Sequence, residues 1–232
     1  MVIAIDGPAG AGKSTVSRLL ARELGFIYLD TGAMYRAVAW ALRKHDRRYH
    51  EATLTLATLE RLPLQFGLAD GELVISFGGR RLAEELREPE ITNMASRVSQ
   101  LPPVRDFLTR WQRQLADIGD VVAEGRDMTT VVFSDTPYKV FLTADIATRA
   151  RRRQLEYRGK GLEIEYALLE AQIRARDDAD EQRSLAPLRP AHDAFLVDTS
   201  ALETPDVLKQ LIAFYMEKRR NRQRGGQNAA AG

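Results

Sequence analysis

The sequence predicts an α/β fold, a parallel sheet covered by helices on both faces, and three observations carry that reading. Short apolar runs alternate with longer helical patterns, the order that builds a parallel sheet from βαβ units. Residues 7–14 read Gly-Pro-Ala-Gly-Ala-Gly-Lys-Ser, directly after the apolar run Val2–Ile5 and directly before the helix-like run Thr15–Glu23. One stretch, 63–87, interrupts the alternation: the β runs Leu64–Leu68 and Leu73–Phe77 flank an Asp70-Gly71 turn signal, which reads as an antiparallel hairpin.

Taken in order, the strand candidates are Val2–Ile5, Phe26–Leu29, Asp120–Ala123, Tyr138–Leu142 and Ala194–Val197. Helices are expected near 13–24, 32–44, 103–117, 145–157, 164–182 and 204–222. The last carries Val207, Leu208, Leu211, Ile212, Tyr215 and Met216 at helical spacing, a stripe that reads as core packing. A hairpin does not fit inside a parallel crossover, so 64–77 is expected to form a small lobe inserted between the second and third strands, with Arg80–Leu82 as a third short strand. The tail from Arg222 is basic and then rich in Gly and Ala, and is expected to be disordered.

Strand, glycine-rich turn and helix start are the context that gives the G-x-x-x-x-G-K-[ST] pattern its meaning, a phosphate-binding loop of the P-loop NTPase type. Gly7, Pro8, Ala9, Gly10, Ala11 and Gly12 form the loop, and its glycines allow successive N–H groups to turn inward on phosphate oxygens. Ser14 and Thr15 open a helix whose unpaired amides and dipole favour anions. Lys13 supplies a cation for the outer phosphates, and the Ser14 hydroxyl suits Mg²⁺.

Composition narrows the class. The chain has 232 residues with a formal net charge of only +2, so no global basic field points to nucleic acid. Cys is absent, which excludes disulfides and thiolate metal sites, and the histidines His45, His50 and His192 are dispersed without metal-ligand spacing. No apolar run approaches membrane-spanning length. The first residues enter a strand at once, leaving no room for a signal peptide. A soluble, cytoplasmic enzyme is expected. The Asn-Lys-x-Asp pattern of guanine-reading switches does not occur, and no repeat suggests a motor.

Arginines at strand and helix ends point instead to a kinase with a second anionic substrate. Arg36 follows Asp30-Thr31-Gly32-Ala33-Met34-Tyr35, and Arg126-Asp127 follows Val121–Gly125, both where open α/β sheets bind ligands. Arg176, Asp180 and Arg183 stand at i, i+4 and i+7, which places them on one helix face. Spacing alone fits a solvated ion pair there equally well. Arg149 and Arg153 form a like-charge i,i+4 pair that a bound anion relieves, with Arg151 and Arg152 beside them. Gly159-Lys160-Gly161 then reads as a hinge between two helices, giving a flap over the P-loop. Two other readings stay open here: a P-loop kinase of a different metabolite, and a nucleic-acid-stimulated NTPase using Arg149–Arg153 and Lys218–Arg224.

With these residues in view, the chain resembles the bacterial cytidylate kinases over nearly its whole length, to about residue 216. The matching motifs are Asp6–Thr15 (DGPAGAGKST), Leu29–Arg36 (LDTGAMYR), Asn93–Ser96 with Arg105, Glu124–Thr130 (EGRDMTT) and Arg176–Arg183 (RDDADEQR). The resemblance implies a doubly wound, five-stranded parallel core, a monophosphate-binding region enlarged by a small antiparallel sheet, and a short helical lid. One kinase domain then covers 1–222, with core 1–35, 104–148 and 183–222, monophosphate-binding region 36–103 and lid about 149–182, before the tail 223–232.

The resemblance also implies roles. Thr31 contacts the acceptor nucleotide; Arg36, Arg126 and Arg176 hold its phosphate; Ser96, Arg105 and Asp127 read cytosine; Asp180 with Arg176 contacts the ribose. Arg183 lies near the transferred phosphate, and Arg149, Arg152 and Arg153 belong to the lid, Arg149 on the ATP side. Lys13, Arg126, Arg152, Arg153 and Arg183 are the expected catalytic set. ATP, CMP and dCMP are the expected substrates, Mg²⁺ the cofactor, and a monomer without nucleic-acid or membrane partners the expected state. Thr129 departs from the family pattern, which has Gly there, and a β-branched residue fits poorly wherever positive φ is required.

Overall fold

The computed structural model describes residues 1–45, 53–159 and 161–229. Five parallel strands form the centre: β1 (Val2–Asp6), β2 (Ile27–Asp30), β6 (Val121–Gly125), β7 (Tyr138–Thr143) and β8 (Phe195–Asp198). The hairpin supplies β3 (Leu64–Ala69), β4 (Glu72–Phe77) and β5 (Arg80–Leu82). The sheet order is β3-β4-β2-β6-β1-β7-β8, with β5 on β4. Each expected core strand is present, shifted by no more than one residue at its start.

Helices cover both faces because the core strands are apolar on both sides, the mark of a buried parallel sheet. One face packs against α1 (Lys13–Leu24) and α8 (Thr204–Ala229) through Val16, Leu20, Val207, Leu211 and Tyr215. The other packs against α2 (Thr31–His45), α4 (Pro89–Val98) and α5 (Pro102–Ala116), with Leu29, Met34, Val38, Ile91, Val104 and Leu108 inside. The short α3 (Leu56–Glu60) joins that second layer through buried Leu59. The sequence reading missed α4, whose apolar stripe is only Ile91, Met94, Ala95 and Val98, although Pro89 marks its first turn.

The hairpin is not a detached lobe. Its strand β4 lies parallel to β2, pairing Tyr28 with Glu72, and the Tyr28 amide donates to the Gly71 carbonyl at 2.8 Å. Without it β2 is an edge whose backbone groups lack partners. Phe66, Ile75 and Leu82 also share the core of α2 and α5, and Phe66 packs edge-on against Trp111. The insertion therefore widens the sheet.

Two further expectations change. α8 continues to Ala229, beyond the boundary expected at 222, although Gly225 and Gly226 are poor helix formers: extending a packed helix needs no new nucleus. Residues 230–232 lie outside the described residues. Arg183 is extended (φ −62°, ψ 140°) just after α7 (Tyr166–Gln182), so only Arg176 and Asp180 share the helix. α6 (Ile146–Gly159) precedes α7 and packs on it, as the flap reading expects; Lys160 of the hinge lies outside the described residues, and Gly161 has φ +74°.

β1 lies between β6 and β7, so the loop after Asp6 leaves the carboxyl edge between neighbours on either side. It leaves tightly. Gly7 has φ +148°, and a Cβ there would sit 2.0 Å from the Leu142 carbonyl oxygen on β7. Backbone strain and a clash with immobile backbone add here. We expect Gly7→Ala to destabilise the chain by at least about 2–4 kcal/mol, visible as a lowered urea midpoint at unchanged m-value. An unchanged midpoint would show that the loop does not pack on β7 in this way.

Candidate active site

The P-loop runs from Gly7 into α1, where Gly12 is the N-cap in the left-handed region at φ 85°. Lys13 is buried and folds back, its Nζ donating to the Pro8 carbonyl at 2.7 Å. Burial first, then the Arg126 guanidinium, pulls the Lys13 ammonium down to about 7. Ser14 and Thr15 are exposed at the start of the helix. The buried Glu124 carboxyl accepts the Tyr28 hydroxyl at 2.5 Å, and burial, then the Asp30 charge, raises its proton affinity. The exposed Ser14 hydroxyl has lone pairs for a cation. A hydroxyl in that role, with remaining positions left to phosphate oxygens and water, fits Mg²⁺.

Across the crevice stands a set of arginines, most of them paired with carboxylates. Arg36, in the first turns of α2, donates to Asp30 at 3.0 Å. Arg105 of α5 forms a buried hydrogen-bonded ion pair with Asp127, and also donates to the Ser99 carbonyl at 3.2 Å. Ser99 in turn donates to the Ser96 carbonyl, so the end of α4 that carries Ser96 is linked to Arg105 and Asp127 through backbone carbonyls. Arg126 donates through Nε to Asp180 at 2.8 Å. Thr31, buried at the start of α2, donates to the Glu124 carbonyl at 2.6 Å. Strand ends and helix starts thus bring Thr31, Arg36, Arg105, Arg126 and Asp127 to one edge of the sheet, where the last turn of α7 supplies Asp180; Ser96 lies in the last turn of α4.

Arg176 is the exception among these cations. Its Nε is buried without a hydrogen-bond partner, and burial, then Arg126, lowers its guanidinium to about 10. Arg183 sits behind Asp180, with Nη1 at 3.9 Å from its carboxylate and Nε donating to the Ala186 carbonyl at 2.6 Å. Losing one partner of a buried pair costs far more than losing an exposed one, roughly 3–5 against 0–1 kcal/mol. The Arg176–Asp180 segment is therefore not a solvated ion pair: Asp180 is buried and bonded to Arg126, and Arg176, although drawn by the Asp180 charge, has a buried Nε with no hydrogen-bond partner.

The three lid arginines separate. Arg149 is buried, donates to the carbonyls of Ala144 (2.9 Å) and Ala9 (3.2 Å) and pairs with Asp177 at 2.6 Å. It clasps the P-loop backbone, and a Cβ on Gly10 would sit 3.1 Å from its Cβ. Arg152 reaches the loop after β8, donating to the Thr199 hydroxyl and carbonyl, while Thr199 itself donates to the Ala11 carbonyl. Arg153 stays on the surface of α6, held by Glu156 at 2.9 Å and the Tyr157 ring. The structure brings Arg149 and Arg152 to the P-loop; Arg153 pairs with Glu156 on its own helix and adds its charge to those acting on Arg176.

Four residues of this site had no role in the sequence reading. Glu124 and Asp6 are buried acids at strand ends, Asp177 anchors Arg149, and the Tyr35 hydroxyl is buried without a partner. Burial, then the Asp127 charge, raises the Tyr35 phenol. A carboxylate closing an apolar strand was the available signal for Asp6 and Glu124. Thr129 resolves differently from the expectation of strain. It is not in the positive-φ region; residues 128–132 form one π-helical turn that buries it.

Comparison with known proteins follows the same outline. A family model described as cytidylate kinase matches residues 3–217. A cytidylate kinase of Caldicellulosiruptor bescii is 41% identical over 219 residues, covering 94% of this chain and 97% of that protein. One from Stutzerimonas stutzeri is 45% identical over 216 residues, covering 91% and 93%. A bifunctional pantoate ligase/cytidylate kinase of Synechococcus elongatus is 45% identical over 222 residues, and the chain spans only 42% of its length. Among solved structures, an uncharacterised protein from Eubacterium ventriosum shares the fold, with TM-score 0.51 at 11% identity over 92% of this chain and 97% of that one. By family model and by relatives matched along nearly their full length, the chain belongs to the cytidylate kinases.

Proposed function

We propose that the chain transfers the γ-phosphoryl group of ATP to CMP or dCMP, giving ADP and CDP or dCDP. The observation that carries this reading is the convergence of Lys13, Arg126 and Arg176: both arginine charges lower the proton affinity of Lys13, Arg126 lowers that of Arg176, and Arg176 has a buried Nε with nothing to bond. Such a site is incomplete without an anion. The family's named activity supplies the acceptor, and Ser96, Arg105 and Asp127 supply polar groups for its base.

The acceptor is a phosphate monoester with a second pKa of about 6, so at pH 7 it is largely dianionic and needs no general base. The barrier is the approach of two polyanions. Lys13, Arg126 and Arg176 offset that repulsion, and planar guanidiniums grip phosphate oxygens bidentately. Mg²⁺, held through Ser14, neutralises charge on the donor phosphates when bound. Asp180 gives Arg126 a counter-charge before the acceptor arrives and offers its second oxygen to the ribose. Arg152 and Arg183 border the transfer zone, and closure of 149–182 excludes water. The reading treats the chain as a cytoplasmic monomer acting on small molecules, with no nucleic-acid or membrane partner. Among the described residues no helix is long and apolar enough to cross a membrane.

An ADP-release assay across nucleoside monophosphates tests the substrate. CMP and dCMP are expected to be the best acceptors. UMP should be clearly poorer, because it presents an acceptor where cytosine donates, and a site built for one rejects the other strongly. Equal kcat/KM for CMP, UMP and AMP would overturn the assignment. Lys13→Ala is expected to lose turnover by several orders of magnitude while remaining folded, since its charge acts mainly on the transferring group; near-normal kcat would remove Lys13 from the mechanism. Asp180→Asn should raise the KM for CMP about ten- to a hundredfold, the worth of a charge-assisted hydrogen bond of roughly 1.5–3 kcal/mol, and leave the ATP KM within about twofold. A parallel rise in both constants would assign Asp180 a structural role only.

A further inference from the structure

Asp6 is fully buried at the last position of β1, directly before Gly7, and the phosphoryl-transfer chemistry above makes no use of it. Its carboxylate is nevertheless saturated. Oδ1 accepts the Met128 amide at 2.9 Å, and Oδ2 accepts the Thr129 amide at 2.7 Å and the Thr129 hydroxyl at 2.6 Å. All three donors come from the turn immediately after Arg126 and Asp127. Asp6 thus ties the first residue of the donor loop to the loop that carries two acceptor-side groups, across 122 and 123 residues of chain.

We propose that Asp6 is a positioning residue for phosphoryl transfer: its carboxylate sets the Arg126–Asp127 loop in register with the P-loop, and the Thr129 hydroxyl holds that carboxylate in its working, ionised form. This rests on the kinase reading above.

The chemistry of the three donors gives the reason. An ionised carboxylate accepts at both oxygens, whereas a protonated one carries a donor on one of them. A proton on Oδ2 would face the Thr129 amide and hydroxyl, and the amide has no second acceptor. The tie then fails at Thr129, where two of its three bonds are made. The charged groups facing Asp6 are few. Asp127 comes from the loop after β6 and Lys13 from α1, while the flanking positions on β6 and β7 are Gly125 and Phe141. Burial outweighs the Thr129 bonds and moves Asp6 up to about 6, with Asp127 adding to the rise.

The sign follows. The folded chain binds this proton more tightly than the unfolded chain, so stability falls as pH rises from the ordinary carboxylate range through about 6. The charge is therefore retained against stability, as expected of a group kept for what it positions.

Thr129→Val, which keeps the shape and removes the hydroxyl, tests this by kcat/KM for CMP at saturating MgATP from pH 5.5 to 8.5. The acceptor's own ionisation is common to all variants, so any displacement of the acid limb belongs to the protein. The limb is expected to move up by about one pH unit, a loss of roughly fivefold at pH 6 that vanishes near pH 8.5, with the ATP KM unchanged. Thr129→Ser should restore the parent profile. If the valine variant does not fold, Thr129→Gly keeps the amide without the hydroxyl and should show the same displacement. A superimposable profile in the hydroxyl-less variant, a loss independent of pH, or failure of serine to restore would overturn the proposal. The parent's own turnover of CMP is read in the same experiment, so failure of the kinase reading is distinguishable.

Discussion

Lys13, Arg126 and Arg176 lie close enough for their charges to act on one another, with Asp180 bonded to Arg126 and drawing Arg176, and the rest of the site depends on how the fold tolerates that. Like charges in a medium less polar than water repel strongly. Their mutual effect is visible in the depressed proton affinities of Lys13 and Arg176. The fold offsets part of this with carboxylates placed one per arginine: Asp30 for Arg36, Asp127 for Arg105, Asp180 for Arg126, Asp177 for Arg149. The pairing is incomplete at Arg176, whose Nε is buried without a hydrogen-bond partner.

These counter-charges differ in what they can release. Asp127 and Arg105 are both almost fully buried and bonded to each other, so the pair is a fixed polar wall. Asp30 and Arg36 are about a quarter exposed, and the arginine can swing away at small cost. Asp180 stands between, sharing one oxygen with Arg126 while the other faces Arg183 at 3.9 Å. A graded set of this kind fixes its inner members and leaves the outer ones held less tightly.

Much of this was legible in the sequence because its determinants are local. The P-loop is a contiguous string between a strand and a helix, and α1 occupies the expected 13–24. The hairpin announced itself through Asp70-Gly71, with both turn residues at positive φ. What stayed hidden depends on long-range pairing. No local pattern says that β4 will close the β2 edge through Tyr28 and Glu72, or that Arg149 will turn to the carbonyl of Ala9, 140 residues earlier. Helical spacing likewise placed Arg183 beside Asp180, but the helix ends one residue before it. The unexpected Thr129 belongs to the same class, since its purpose is visible only beside Asp6.

Long-range pairing also explains why donor and acceptor sites form one machine on a single sheet. β1 and β6 are parallel neighbours with Asp6 opposite Gly125, so the P-loop and the Arg126 loop leave the same edge side by side. Side-by-side exits alone do not fix the angle of either loop, because each is free of ladder bonds beyond its strand. The buried bonds between them supply that restraint: Asp6 to the Met128 and Thr129 amides on one side, Arg149 to the Ala9 carbonyl on the other. The P-loop is thus gripped from both flanks. α7, which holds Arg149 through Asp177, also holds Arg126 through Asp180, so both loops are restrained against one frame. Fixed relative placement of this kind is what a reaction between two anions rewards.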